Sequence, residues 1–238
     1  MTGPVDDART VRAEYESEER FLARRLGTWA ILVGPAAEDV ALAAVAAARP
    51  GRVVDVGCGT GDITARLAAP AVVVGIDQSL RMATLTRGRG IAAVRAGIEG
   101  LPLAGASVDA VLANRVLYHL PDLDAGLAEI ARVLRPGGRL VAVTYSGAHL
   151  AELFERAGVP SPIAATFCAE TGGEALARHF AMVERHDVVG EARFERPGAV
   201  AGYLGAFGGF AAADLAAGAA AVPLPLVARY RLAVFVAG

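Results

Sequence analysis

Apolar and polar positions along this chain keep two rhythms. Val11, Tyr15, Leu22, Leu26 and Trp29 recur at roughly helical spacing, with acidic and arginine side chains between them. Gly34-Pro35 closes that segment, and a second helix is predicted over about residues 36–48. Short β-branched or aliphatic runs follow at residues 53–56, 72–76, 91–95, 108–113 and 140–145. Helical stretches separate them, over residues 63–69, from Ser79 to about residue 87, and from Asp122 or Asp124 to Leu134. Strand and helix in alternation predict a mostly parallel sheet with helices on both faces. The last third is less regular. It reads as helix at 149–157 and 174–179, strand at 180–189, Ala/Gly-rich helix from 197 to about 221, and a closing strand at 226–236.

The pattern breaks most sharply at residues 53–61, Val-Val-Asp-Val-Gly-Cys-Gly-Thr-Gly. A buried strand runs into three alternating glycines, and a helix pattern begins at Asp62. Such a turn presents backbone N–H groups and lets the chain lie against a ligand. The spacing is Gly57-x-Gly59-x-Gly61, whereas a dinucleotide fingerprint places its last glycine where Asp62 stands. With Asp55 upstream and Asp62 downstream, a cationic ligand suits the turn better than a pyrophosphate. Asp77 ends the next strand, 16 residues beyond Gly61, where a carboxylate can accept hydrogen bonds from a ribose diol.

Composition narrows the classes. The 238 residues are 54% apolar and 20% charged, and much of the apolar share is alanine, which signals helix. No apolar run reaches the roughly 18–20 residues of a membrane span. Net charge is −2, with no basic block, so nucleic acid is not the expected partner. Cys58 lies in the glycine turn and Cys168 in a different context. A disulfide is therefore not expected, and a cytoplasmic location is. No His/Cys cluster stands at metal spacing and no Gly-x-Ser-x-Gly elbow occurs.

Residues 53–61 resemble the first motif of class I S-adenosylmethionine (SAM)-dependent methyltransferases, in particular small-molecule methyltransferases of the UbiE type. Glu99, Leu101 and Pro102 resemble a second motif, with Gly97 where the family usually carries an adenine-binding Asp. Leu134-Arg-Pro-Gly-Gly-Arg-Leu resembles the third, a scaffold turn. The resemblance covers about residues 50–145. It implies an α/β fold, a doubly wound, seven-stranded Rossmann-like sheet of order 3-2-1-4-5-7-6. One domain is expected over residues 1–238: a helical cap over about 1–49, a SAM-binding core over 50–145, and substrate-side helices with a final hairpin over 146–238.

It further implies SAM as cofactor and S-adenosylhomocysteine as product. The expected cofactor residues are Asp55, Gly57, Cys58, Gly59, Gly61, Asp77, Gln78, Met82, Ile98, Glu99, Asn114 and Arg115. His119 is the candidate base, with packing against the following helix as its competing role. Tyr15, Trp29, Tyr118 and His149 are candidates for the substrate side, with amphipathic packing as the alternative for each. The expected activity is methyl transfer to a small molecule, in specialised metabolism, by a monomer or homodimer without membrane or nucleic-acid partners. A SAM-binding protein that does not methylate, regulatory or a cyclisation or rearrangement catalyst, is the alternative. A nicotinamide oxidoreductase is disfavoured by Asp62.

Overall fold

A computed structural model describes residues 30–67, 71–163, 166–205 and 212–238. Tyr15 and Trp29, and most of the expected cap, lie outside the described residues.

The described strands form a single sheet. Five are β2 (Arg52–Val56), β3 (Val72–Asp77), β4 (Ala92–Arg95), β5 (Val108–Asn114) and β6 (Leu134–Tyr145), all parallel. Antiparallel to β6 runs β8 (Leu226–Ala237), which pairs along its whole length with β7 (Val183–Phe194). The strand Ile31–Val33, β1, pairs antiparallel with β7 at the edge, giving the order β1-β7-β8-β6-β5-β2-β3-β4. Without β1 this is the expected order of seven; the observed count is eight. Residues 31–33 do not extend the cap helix. Ile31, Leu32 and Val33 instead complete the free ladder edge of β7, and Gly34 turns the chain away at φ 126°.

Residues alternate between two apolar layers. Val53, Leu112, Val141, Val143 and Val234 face one; Val54, Val56, Val111, Ala142 and Phe235 face the other. Strands buried on both faces read as unbroken aliphatic runs, which is why they were visible in the sequence. On the first layer lies α1 (Ala37–Ala47), whose Ala37, Ala41 and Val45 recur every fourth residue and pack over β5, β6 and β8. On the second lies α4 (Leu123–Val133), with Leu127, Ile130 and Val133 fully buried. Its N-cap is Asp122, which accepts from the Ala125 N–H at 2.9 Å.

Between them in the chain come α2 (Thr64–Leu67) and α3 (Leu80–Gly88), the latter capped by Ser79 as expected. Four more helices follow among the described residues: α5 (Ala151–Ala157), α6 (Gly172–Ala177), α7 (Pro197–Gly205) and α8 (Ala212–Ala221). The strand expected at 180–189 starts and ends later, because every residue from Val183 to Phe194 has a partner on β8. The Arg135–Gly138 turn is a bulge inside β6: Leu134 pairs with Val108, and Arg139 with Ala110.

The start of α1 is pinned by one tyrosine. Tyr230 of β8 donates to the Pro35 carbonyl at 2.9 Å. It crosses the backbone so closely that a Cβ on Gly190 would stand 2.1 Å from its hydroxyl oxygen. Only glycine fits there.

Candidate functional site at the carboxyl ends of the parallel strands

Strand order reverses between β2 and β5, and ligands of open α/β sheets bind outside the carboxyl ends at that place. The glycine turn leaves β2 there. Gly57, Gly59 and Gly61 have φ of 72°, 54° and 78°, the left-handed region where a side chain is strained. A Cβ on Gly57 would also meet Val116 at 2.5 Å. The glycines therefore serve a backbone path that brings the turn against β3 and β5.

Asp77 holds the turn from β3. Its two carboxylate oxygens accept the N–H groups of Gly59 at 2.9 Å and Ser79 at 2.8 Å. Burial pushes its pKa up, against the pull of those two hydrogen bonds. Asp77 is thus a structural clamp first, with lone pairs left on each oxygen. Asp55 lies one residue before the end of β2 and is 2% exposed. Thr64 of α2 donates to one of its oxygens at 2.6 Å. Burial, chiefly, raises its pKa to about 7, with the Asp77 charge adding to the rise.

Asp62 does not leave its charge bare as the sequence implied. It is ion-paired with Arg89, and Thr60 donates to it at 2.8 Å. The electrostatic argument against a dinucleotide weakens accordingly. Cys58 packs against Gly75, beside Thr86, and burial pushes its thiol up to about 12, so it is inert filling. Met82 is fully buried and lies beneath the surface rather than on it. Ile98 is buried and Glu99 exposed within a single 3-10 turn beside β4, and Gln78 is exposed at the rim.

Beyond β5 the backbone of Arg115 is left-handed, φ 56°, and its N–H donates to the Val143 carbonyl at 2.9 Å. The guanidinium turns to α1 and pairs with Glu38. Burial opposes its charge, but the Tyr145, Glu38 and Tyr118 side chains around it hold the pKa up. Rings continue from there. His119 lies 4.3 Å from Tyr118, Tyr118 lies 5.9 Å from Tyr145, and Tyr145 lies 4.7 Å from His149. His119 is buried in this stack, the packing role that competes with that of a base.

Among the described residues, three buried side-chain polar atoms have no hydrogen-bond partner: Asp55 Oδ1, Asn114 Oδ1 and His149 Nε2. They sit at the carboxyl ends of β2 and β5 and just past the end of β6, three neighbouring strands. An unpartnered buried polar group carries a penalty of about 1–3 kcal/mol, so three at one sheet edge mark a ligand site. The two oxygens require donors. That fits an ammonium and opposes a phosphate.

Residues 54–142 match the methyltransferase domain family, so this part of the chain carries a methyltransferase domain. The chain is 43% identical over 100 residues to the demethylmenaquinone methyltransferase of Corynebacterium kroppenstedtii, a match covering 41% of this chain and 44% of that one. It is 34% identical over 162 residues to the malonyl-[acyl-carrier protein] O-methyltransferase of Hahella chejuensis, covering 64% and 58%. The chain thus spans about half the length of the curated relatives it matches. The methyltransferase fold is shared with the [4+2]-cyclase SpnF, at TM-score 0.60 and 20% identity over 96% of this chain and 95% of that one. In the methyltransferase domain, Asp55, the three glycines, Asp77 and Asn114 gather at one edge, and Arg115 and His149 at its neighbour. Sequence reasoning missed Thr64, Glu38, Tyr145 and Arg231. Tyr145 was findable, since it ends a parallel strand as Asn114 does. The others carry no local signal.

Proposed function

We propose that this protein transfers a methyl group from S-adenosylmethionine to a small-molecule acceptor. The observation that carries the reading is the pair of unpartnered buried acceptors, Asp55 Oδ1 and Asn114 Oδ1, on adjacent strands beside the glycine turn. The cofactor's amino group offers N–H donors and a positive charge to both. When bound, the cofactor supplies an activated methyl group on a cationic sulfur that is also the leaving group.

The chain's own residues bind and orient. The turn at Gly57–Gly61 gives a side-chain-free floor, and Asp77 uses its remaining lone pairs for ribose hydroxyls. Ile98 offers an apolar surface for the adenine, with Gln78 and Glu99 at the rim and Met82 supporting from beneath. Alignment of two reactants supplies roughly 7–11 kcal/mol of a barrier in well-oriented systems, so the reaction does not demand a base, and none is assigned to His119. The names of the relatives, one acting on demethylmenaquinone and one on a malonyl carrier-protein ester, support a biosynthetic acceptor.

Calorimetric titration with SAM, followed by transfer of a labelled methyl group to candidate acceptors, tests the reading. Micromolar binding and labelled product are expected. Absence of SAM binding ends it, and tight binding without turnover against any acceptor favours the non-methylating alternative.

A further inference from the structure

The third orphaned atom, His149 Nε2, differs in kind from the other two. His149 is 2% exposed and sits where the chain leaves β6 and turns along β8. Its Nδ1 lies 3.1 Å from both the N–H nitrogen and the carbonyl oxygen of Arg231. That carbonyl already accepts the Ser146 N–H at 3.0 Å. The Arg231 N–H, in contrast, has the His149 ring as its acceptor. A proton on Nδ1 would set two hydrogens face to face and strip a backbone N–H of its partner. A proton on Nε2 satisfies that N–H. The hydrogen-bond network therefore selects the Nε2–H tautomer.

The surroundings keep the ring neutral. Burial, then the Arg231 contact and the Arg115 and Arg231 charges, set its titration, and the net result is a pKa of about 3. Tyr145 packs edge-on against the imidazole at 4.7 Å. The orphaned atom is thus an N–H donor with nothing to donate to, near a guanidinium whose charge is felt by His149, Tyr145 and Tyr118 alike. Glu38 is the one carboxylate paired with that guanidinium among the described residues, and it leaves other N–H groups of the five on Arg115 unspent.

We propose that His149 Nε2–H and the Arg115 guanidinium together receive an anionic oxygen, a carboxylate or phenolate carried on a flat ring, as the recognition group of the acceptor. The Tyr118, Tyr145 and His149 rings, tilted by 50° and 63° from one to the next, supply an aromatic wall against which a ring can pack edge to face, and the two donors supply the charge preference. His149 acts as a binding donor that keeps its proton, not as a base. Where the ionised oxygen is itself the atom methylated, it has no proton left for a base to remove. This proposal rests on the methyltransferase reading for its meaning, but not for its test.

Long-range 1H–15N NMR of the free protein reads the His149 tautomer directly; Nε2–H is expected, and Nδ1–H overturns the proposal. Benzoate and its neutral isostere benzamide are then titrated, with and without saturating S-adenosylhomocysteine. Benzoate is expected to bind about tenfold or more tightly than benzamide. The preference should vanish in His149→Leu, shrink in Arg115→Met, and persist in His149→Gln, whose amide can accept from Arg231 and still donate. Equal binding of the two probes, or a preference untouched in His149→Leu, overturns it. If His149→Leu does not fold, the wild-type preference, its response in Arg115→Met and the tautomer still decide. Failure of S-adenosylhomocysteine to bind would instead strike the methyltransferase reading alone.

Discussion

The two halves of the site are built on opposite principles. The half at β2, β3 and β5 is local and offers acceptors: a short glycine turn, Asp77 clamping it through the Gly59 N–H, and the oxygens of Asp55 and Asn114 left over. The half at the ends of β5 and β6 is assembled from far along the chain and offers donors: Arg115, held by Glu38 from α1, and His149, held by Arg231 from β8. The first half suits a cation and the second an anion. A methyl transfer brings a cationic sulfur and an electron-rich atom together, and the sheet edge separates the two preferences by one strand.

The largest break in that comparison is expected from Gly57→Val. Its φ of 72° and the 2.5 Å approach to Val116 leave no room for a side chain. SAM affinity should fall by about a hundredfold or more, at roughly 1.4 kcal/mol per decade, as read by calorimetry. Benzoate recognition at the ends of β5 and β6 should survive if the fold does. If both halves fail together in a folded variant, they are one unit and the contrast is wrong.

Asp55→Asn sharpens the acceptor half. It turns the orphaned oxygen into a donor, so SAM binding should weaken about tenfold to a hundredfold. The same change has a signature in stability. Asp55 titrates near 3.8 unfolded and about 7 folded, so between these values the folded chain holds a proton that the unfolded chain has lost. Stability of the ligand-free protein should therefore decline as pH rises from about 4 to 7 and level off above. Asp77, also raised, contributes with the same sign. In Asp55→Asn, thermal melts should show a shallower decline; an unchanged slope would mean Asp55 is ionised in the native state.

Tyr230→Phe tests the donor half from a distance. Losing the bond to Pro35 should lower stability by about 1 kcal/mol and loosen the start of α1, which carries Glu38. The expected outcome is weaker acceptor or benzoate binding by a few fold with SAM affinity unchanged. Weakened SAM binding would show that α1 also governs the glycine turn. The smallest effect is expected at Cys58: with its thiol pushed up to about 12, alkylating reagents at pH 8 should leave it unmodified in the native protein, as mass spectrometry of the digest would show.

The same contrast explains what could be read in advance. The glycine turn and the five parallel strands are encoded in neighbouring residues, because backbone conformation and two-sided burial leave their mark within a few positions. Ile31–Val33 was read with the cap because three residues hold too little periodicity, and only the free edge of β7 makes them a strand. The place of Arg115 just after β5 is legible in the sequence, but its ion pair with Glu38, 77 residues away in the chain, is not. His119 and His149 looked alike as letters; the Arg231 backbone distinguishes them.

The order of seven strands came from the family resemblance, while the sequence by itself determined the α/β class, the glycine turn and the acidic character of its surroundings. Those properties rest on local sterics and on which faces of each segment avoid water. Tertiary structure alone decided the eighth strand, the neutralisation of Asp62 by Arg89, the direction of Arg115 and the tautomer of His149. Each depends on a partner brought near by the fold, and an ion pair or a hydrogen bond across the sheet leaves no trace in the spacing of the residues that make it.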